Sequence, residues 1–224
     1  MREELAAVLV LMQDQHMQVV AGREFWLGHL HGQPAVAVLS RIGKVAAATT
    51  ASVLIERFGV ERIVFTGVAG GLSPGVAVGD IVVADAFLQH DLDASPIFPR
   101  YEVPLYGVDR FAADPLLSGR LAQAVQSALP AVRLHRGLVV SGDRFVSSTI
   151  ESRALQAALP EAVAVEMEGA AFAQVCHDYG VPFAAVRTIS DRSDDQAHID
   201  FPGFLQRVAS VYSAAIVGAF LRSC

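Results

Sequence analysis

VPFAAVRTISDRSDDQAHIDF, residues 181–201, decides how the rest of the chain is read. It opens on a six-residue apolar run, Val181 to Val186, then turns polar with Arg187, Thr188, Ser190 and Asp191. A short apolar run ending in hydrogen-bonding groups reads as a buried strand that delivers side chains to an edge of a sheet. In open α/β sheets, ligands bind outside the carboxyl ends of the strands. Asp191 is therefore a candidate acid for protonating a leaving group, with an apolar strand end beneath it to raise its pKa by desolvation. The local alternative is that Ser190-Asp191 caps the next turn, since both residue types are favoured N-caps.

Working outward, the same theme recurs. In GLVVSGDRFVSS (137–148) a buried strand, 137–140, precedes Ser141, Gly142, Asp143 and Phe145. In EAVAVEMEGAAFAQVCHDYG (161–180) the apolar Ala162–Val165 meets Glu166, Met167 and Glu168 at a strand–helix joint. The helix that follows turns Ala170, Phe172, Ala173 and Cys176 inward and ends at Gly180. In ERIVFTGVAGGLSPGVAVGDIVVAD (61–85) a strand at Ile63–Phe65 leads to Gly67, Gly70 and Gly71, and DIVVAD forms a second strand. The dinucleotide spacing G-x-G-x-x-G is absent and no helix pattern follows. The glycines read as a tight turn whose backbone can approach a ligand, or as a turn with no ligand.

Residues 3–17 place Leu5, Val8, Leu9 and Met12 at helical spacing behind Glu3 and Glu4. On patterning alone Glu4 is a solvated acid favoured by the helix dipole. Residues 24–40 form a hairpin about His31-Gly32-Gln33-Pro34, and SRIGKVAAATTASVLIERFG (40–59) a helix between Gly43 and Gly59. Pro96, Pro99 and Pro104 break up residues 87–110, whose Phe98, Tyr101, Leu105 and Tyr106 call for a partner surface or the domain itself. Helices over 115–128 and 203–222 complete the pattern. Strands alternating with helices predict a three-layer α/β domain, residues 1–224, whose mixed, mainly parallel central sheet carries helices on both faces.

The bulk properties exclude several classes. With 17 Lys+Arg against 23 Asp+Glu, a charge of −6 argues against a nucleic-acid backbone as partner. Mean hydropathy is high, +0.42. The stretch Val208 to Leu221 still falls short of the roughly 18 apolar residues a spanning helix needs. It includes Ser210, Tyr212 and Ser213, which suit a buried or interface helix, so no membrane partner is expected. The start, MREELAAVLVLM, lacks a signal peptide's positive region and cleavage site. Two cysteines, Cys176 and Cys224, form neither a disulfide framework nor a zinc site, which suits a reducing cytoplasm. No metal or cofactor is expected.

Three strand ends thus carry polar sets: Thr66–Gly71, with Val68, Ala69 and Gly70; Ser141–Phe145; and Arg187–Asp191. Met167 and Glu168 add a fourth group. The set offers carboxylates, a guanidinium, hydroxyls and an aromatic face, without metal-ligand spacing, a Cys–His pair or a nucleophile elbow. Acid/base work or simple binding remains. Paired acids suit glycosidic cleavage, one protonating the leaving group while another activates water or steadies the sugar cation. Glu168 could instead be a first-turn helix acid or an ion-pair partner of Arg187.

These residues carry a resemblance. SRIGKVAAA, TGVAGGLSPGVAVGDIVVAD, HDLDA, GLVVSGDRFV, AVEMEGAAFAQVCH and VRTISDRSDDQAHIDF, in that order, resemble the bacterial 5′-methylthioadenosine/S-adenosylhomocysteine nucleosidases of the nucleoside phosphorylase superfamily. The resemblance implies hydrolysis of the N-glycosidic bond of a 5′-thio-substituted adenosine. It makes Asp191 the acid on purine N7, held by Ser190, and Glu4 the base for the attacking water. Met167 and Glu168 grip the ribose, Arg187 orders the water, Phe145 stacks on the base and Val146 reads its edge. Ile42, Phe201, Met1 and Ala94 match positions lining the 5′ pocket, which a homodimer partner completes. Three departures stand out: a strand usual before the M-x-E-E segment is not seen, Val68 replaces a frequent Ser, and Arg41 a frequent Gly. A phosphorylase, a futalosine-type nucleosidase and a nucleoside-binding sensor without turnover are the competing readings.

Overall fold

The computed structural model describes residues 1–194, 204 and 208–222. Helix α1 (Arg2–Leu9) is followed by a three-stranded antiparallel meander, β1 (Met12–Val20), β2 (Arg23–Leu30) and β3 (Gln33–Val38). Both of its turns are two residues long with positive φ at both positions: Ala21 and Gly22, then His31 (50°) and Gly32 (79°). That backbone twist matches the right-handed twist of paired strands. Helix α2 (Lys44–Phe58) stops at Gly59, whose φ of 61° turns the chain out of the helix. The Gly59 N–H satisfies the Ile55 carbonyl at 3.0 Å.

A second sheet contains β4 (Ile63–Gly71), β5 (Ile81–Gln89), β6 (Arg110–Ala112), β7 (Leu134–Ser141), β8 (Ala162–Glu166) and β9 (Phe183–Asp191). Its order is β6-β5-β7-β8-β4-β9, and β9 pairs back onto β5, so five strands close on themselves. The pairings are mixed: β4–β9, β5–β7 and β7–β8 are parallel, while β4–β8, β5–β6 and β5–β9 are antiparallel. Further helices among the described residues are α3 (Pro115–Ala128), α4 (Thr149–Ala158), α5 (Gly169–Tyr179) and α6 (Ser210–Arg222).

Strand alternation assigns the faces. In β9, Phe183, Ala185 and Ile189 join the apolar cluster shared with α2 and α5, around Ala47, Leu54 and Phe172. Ala184 and Val186 join the opposite cluster with Leu121 and Val125 of α3 and Ile216 and Phe220 of α6. Helices therefore flank the central sheet on both faces, as the sequence predicts. Fully burying side chains of this size contributes about 1.5–3 kcal/mol each. This packing holds the polar strand ends in place.

Several local expectations are corrected. Helix α1 ends at Leu9, and Met12 begins β1 instead of closing a helix over 3–17. Most of β1 is exposed, so it carries no buried stripe for periodicity to reveal. Gly67, Gly70 and Gly71 lie inside β4, not in a turn after it, because pairing with β9 and then β8 continues through them. The strand at 181–186 is instead β9, Phe183–Asp191, so the polar set belongs to the strand itself. In the loop 90–109, which the sequence left to a partner surface or to the domain itself, Tyr101 packs on the cluster around Leu88 and Val140 and Tyr106 on Phe111, whereas Leu105 is 91 % exposed. Helix α4, with only Leu155 buried, has no counterpart in the sequence reading.

Candidate active site

A cavity of about 430 Å³ opens where β4, β9 and the start of α5 meet the N-terminal segment. Met1, Glu4, Ile42, Val68, Glu168 and Arg187 all line it, so the fold brings six of the sequence-derived residues to one place.

Glu4 is buried, which overturns its reading as a solvated helix acid. Its Oε1 accepts from Ser213 Oγ of α6 at 2.7 Å, and its Oε2 from the Met1 amino group at 2.6 Å. Ser213 in turn lies 2.7 Å from Thr66 Oγ1 of β4. Burying an ionisable group is expensive unless it is paired and hydrogen-bonded, and these contacts meet that requirement.

At the β8–α5 joint, Arg187 is fully enclosed and its Nη2 donates to Glu166 Oε2 at 2.9 Å. Nη1 donates to the carbonyls of Phe65 and Val186, each at 3.1 Å, and the guanidinium lies 4.2 Å from the Phe65 ring centroid. The ion pair considered between Glu168 and Arg187 is thus made by Glu166 instead. Glu166 also accepts from Ser141 Oγ and from the N–H groups of Glu168 and Gly169. Glu168 takes the Gly43 N–H on Oε1 at 2.8 Å. Burial, and then the Glu166 charge, push the Glu168 carboxyl up to about 7, against the pull of the Gly43 N–H and Arg187.

At the far end of β9, Asp191 is 2 % exposed. Its Oδ2 accepts from Ser190 Oγ and its Oδ1 from the Ser193 N–H, both at 2.8 Å. The Ser193 bond is the local turn that the capping alternative anticipated. Ser190 Oγ is also 3.3 Å from the Ala69 carbonyl. Gly70 sits opposite Asp191 in the ladder, and a Cβ there would lie 2.9 Å from Oδ1 and overlap the Ser193 hydroxyl. Absence of a side chain at 70 is what lets the carboxyl pack against β4. Asp191 does not itself line the cavity that Glu4 and Glu168 share.

Phe145 stands 43 % exposed in the loop after β7, and Val146 next to it is buried. Met167 is half-buried between the two glutamates. Ala94 lies in the loop after β5 and does not line the cavity. Phe201 lies outside the described residues.

Sequence reasoning named Glu166 and Ser141 but missed that Glu166 pairs with Arg187 and accepts from Ser141, and it missed the Ser213–Thr66 pair. It also missed a clamp behind Glu168. Lys44 Nζ bonds Asp91 Oδ1 at 2.6 Å, the Lys44 N–H bonds Asp143 Oδ1 at 2.7 Å, and the Asp143 N–H bonds Asp91 Oδ2 at 2.9 Å. The clamp ties the start of α2 to the loop that carries Phe145. Hydroxyls in a mostly apolar helix, Ser213 among them, are the signal that was readable beforehand. Among the described residues no three His, Cys, Asp or Glu side chains group to hold a metal ion, and no helix is long and apolar enough to cross a membrane.

The chain is matched by the Phosphorylase superfamily over residues 1–222. Among solved structures it is 35% identical to the 5′-methylthioadenosine/S-adenosylhomocysteine nucleosidase of Neisseria meningitidis, determined with methylthio-immucillin-A. That likeness covers 100% of this chain and 96% of the other, with a TM-score of 0.95. It is 32% identical to the corresponding nucleosidase of S. pneumoniae, bound to a transition-state inhibitor, covering 99% and 95% with a TM-score of 0.91. It is 31% identical to a futalosine hydrolase mutant of Helicobacter pylori, covering 100% and 96% with a TM-score of 0.92. The chain belongs to the phosphorylase superfamily.

Proposed function

We propose that this member of the superfamily is a nucleoside hydrolase that cleaves the N-glycosidic bond of 5′-methylthioadenosine and S-adenosylhomocysteine, and of 5′-deoxyadenosine. The products are adenine and the thioribose, or deoxyribose, fragment. Water attacks the anomeric carbon, the C–N bond electrons move into the purine, and a proton reaches N7. Asp191 supplies that proton, oriented by Ser190. Glu4 takes the proton of the water, with Arg187 ordering it. Glu168 grips the ribose hydroxyls, Met167 packs on the sugar, and Phe145 stacks on the base, whose edge the Val146 backbone reads. Protonation makes the purine a tolerable leaving group, and fixed carboxylates stabilise the sugar cation as it forms.

One observation carries the choice of water over phosphate. Of the three arginines that line the cavity, Arg187 is committed to Glu166 and Arg41 to the Gly22 carbonyl, while Arg2 is exposed. A phosphate entering the cavity would instead meet the buried Glu4 carboxylate. The likeness to a nucleosidase bound to a methylthio-substituted inhibitor supports the 5′-thio substituent. Exposed apolar side chains, Ile42 beside the cavity and Ile97 and Leu105 on the proline-rich loop, support a homodimer that completes the 5′ pocket, with Ala94 and Phe201 on its rim. A futalosine-type activity is the second reading, supported by the likeness to the Helicobacter enzyme.

The test is adenine release from methylthioadenosine in phosphate-free buffer, with futalosine assayed in parallel. Turnover of methylthioadenosine without phosphate is expected. A strict phosphate requirement would replace hydrolysis by phosphorolysis, and faster turnover of futalosine would reassign the substrate.

A further inference from the structure

We propose that Ser213 is a positioning residue for the base, holding Glu4 through a directed pair of hydroxyls whose outer member is Thr66. The proposal rests on the reading of Glu4 as the group that activates water.

Ser213 lies in α6, whose sequence SVYSAAIVGAFLR is mostly apolar, and it is 1 % exposed. A buried hydroxyl costs stability unless it finds a partner, and a helical Ser commonly bonds back to a carbonyl one turn earlier. Ser213 instead reaches across to α1, 209 residues away in sequence, and donates to Glu4 Oε1 at 2.7 Å. An ionised carboxylate only accepts, so the single Ser213 proton points at Glu4. The 2.7 Å contact with Thr66 must then run from Thr66 Oγ1 to Ser213 Oγ. The chain of donation is Thr66 to Ser213 to Glu4.

One consequence follows. The pair locks Oε1 of Glu4 in a fixed direction, so Oε2, which the Met1 amino group meets at 2.6 Å, is held on the side where the cavity opens.

The test compares S213A, S213T, T66V and E4Q in kcat and KM for methylthioadenosine. For S213A, kcat is expected to fall about tenfold with KM within about twofold, the loss typical of one hydrogen bond to a charged group. S213T restores kcat, and T66V, close in shape to threonine, lowers it by less. Should S213A fail to fold, S213T and T66V decide alone. Wild-type kcat in S213A, with E4Q inactive, would overturn the proposal. So would a loss that falls on KM instead of kcat, or one that S213T does not rescue. An E4Q variant with full activity would remove Glu4 as the base, and the present proposal with it.

Discussion

Glu166 and Glu168 stand two residues apart at one strand–helix joint, yet they live in different chemical worlds. Glu166 closes the end of β8, where a guanidinium, a serine hydroxyl and two N–H groups surround it. Glu168, half-buried at the cavity wall, is fixed through the Gly43 N–H and feels the Glu166 charge. The contrast teaches that donor supply, not position in a motif, separates a carboxylate that holds the fold from one left available to a ligand. Asp191 is a third case, buried and bonded by a neighbouring hydroxyl and the Ser193 N–H.

The largest effect that sharpens this contrast is expected at Asp191. Asp191→Asn keeps the shape and the acceptor for the Ser193 N–H but removes the proton that the proposed acid would give the purine. Its kcat should drop by at least about 10³-fold with the unfolding midpoint nearly unchanged. Near-normal kcat would exclude the acid role.

Next comes the saturated carboxylate. Glu166→Gln strands the buried Arg187 charge, which should cost about 3–5 kcal/mol in denaturant unfolding. A loss well under 1 kcal/mol would show that the Glu166–Arg187 pair does not hold the joint together, and the comparison would break.

The smallest effect is a pH dependence at Glu168. Its carboxyl is raised from 4.5 to about 7 in the folded chain, so the native state holds the proton more tightly than the unfolded one. The resulting stabilisation is complete below the unfolded pKa and is lost as pH rises through about 7. Glu168→Gln should remove that slope, gaining on the order of 2 kcal/mol relative to the parent between pH 5 and pH 8. Its kcat/KM should fall as the ribose contact is lost. Parallel stability–pH curves for the two proteins would contradict the assignment.

Much of this was readable before any coordinates. The helices at 44–58, 115–128 and 169–179 follow from apolar periodicity and terminal glycines, and the apolar runs 80–85, 137–140 and 162–165 fall within β5, β7 and β8 save for Asp80, one residue before β5. The errors share one physical origin. Exposed β1 has no buried face to generate a period. β4 and β9 continue through glycines and polar residues because neighbouring strands supply their backbone partners. Ladder pairing of that kind is a tertiary fact, invisible to local propensity.

By itself, the sequence determined the alternation of strands and helices, the polar sets at the strand ends and the candidacy of Asp191 and Glu168. Burial patterns and strand-end chemistry are local properties, so they survive in one dimension. Tertiary structure alone decided that Arg187 pairs with Glu166, that Glu4 is buried, and that Ser213 of the last described helix holds the first helix's glutamate. Those outcomes depend on which donors stand within about 3 Å of which carboxylate, and residues from opposite ends of the chain meet only when the sheet and its flanking helices have closed.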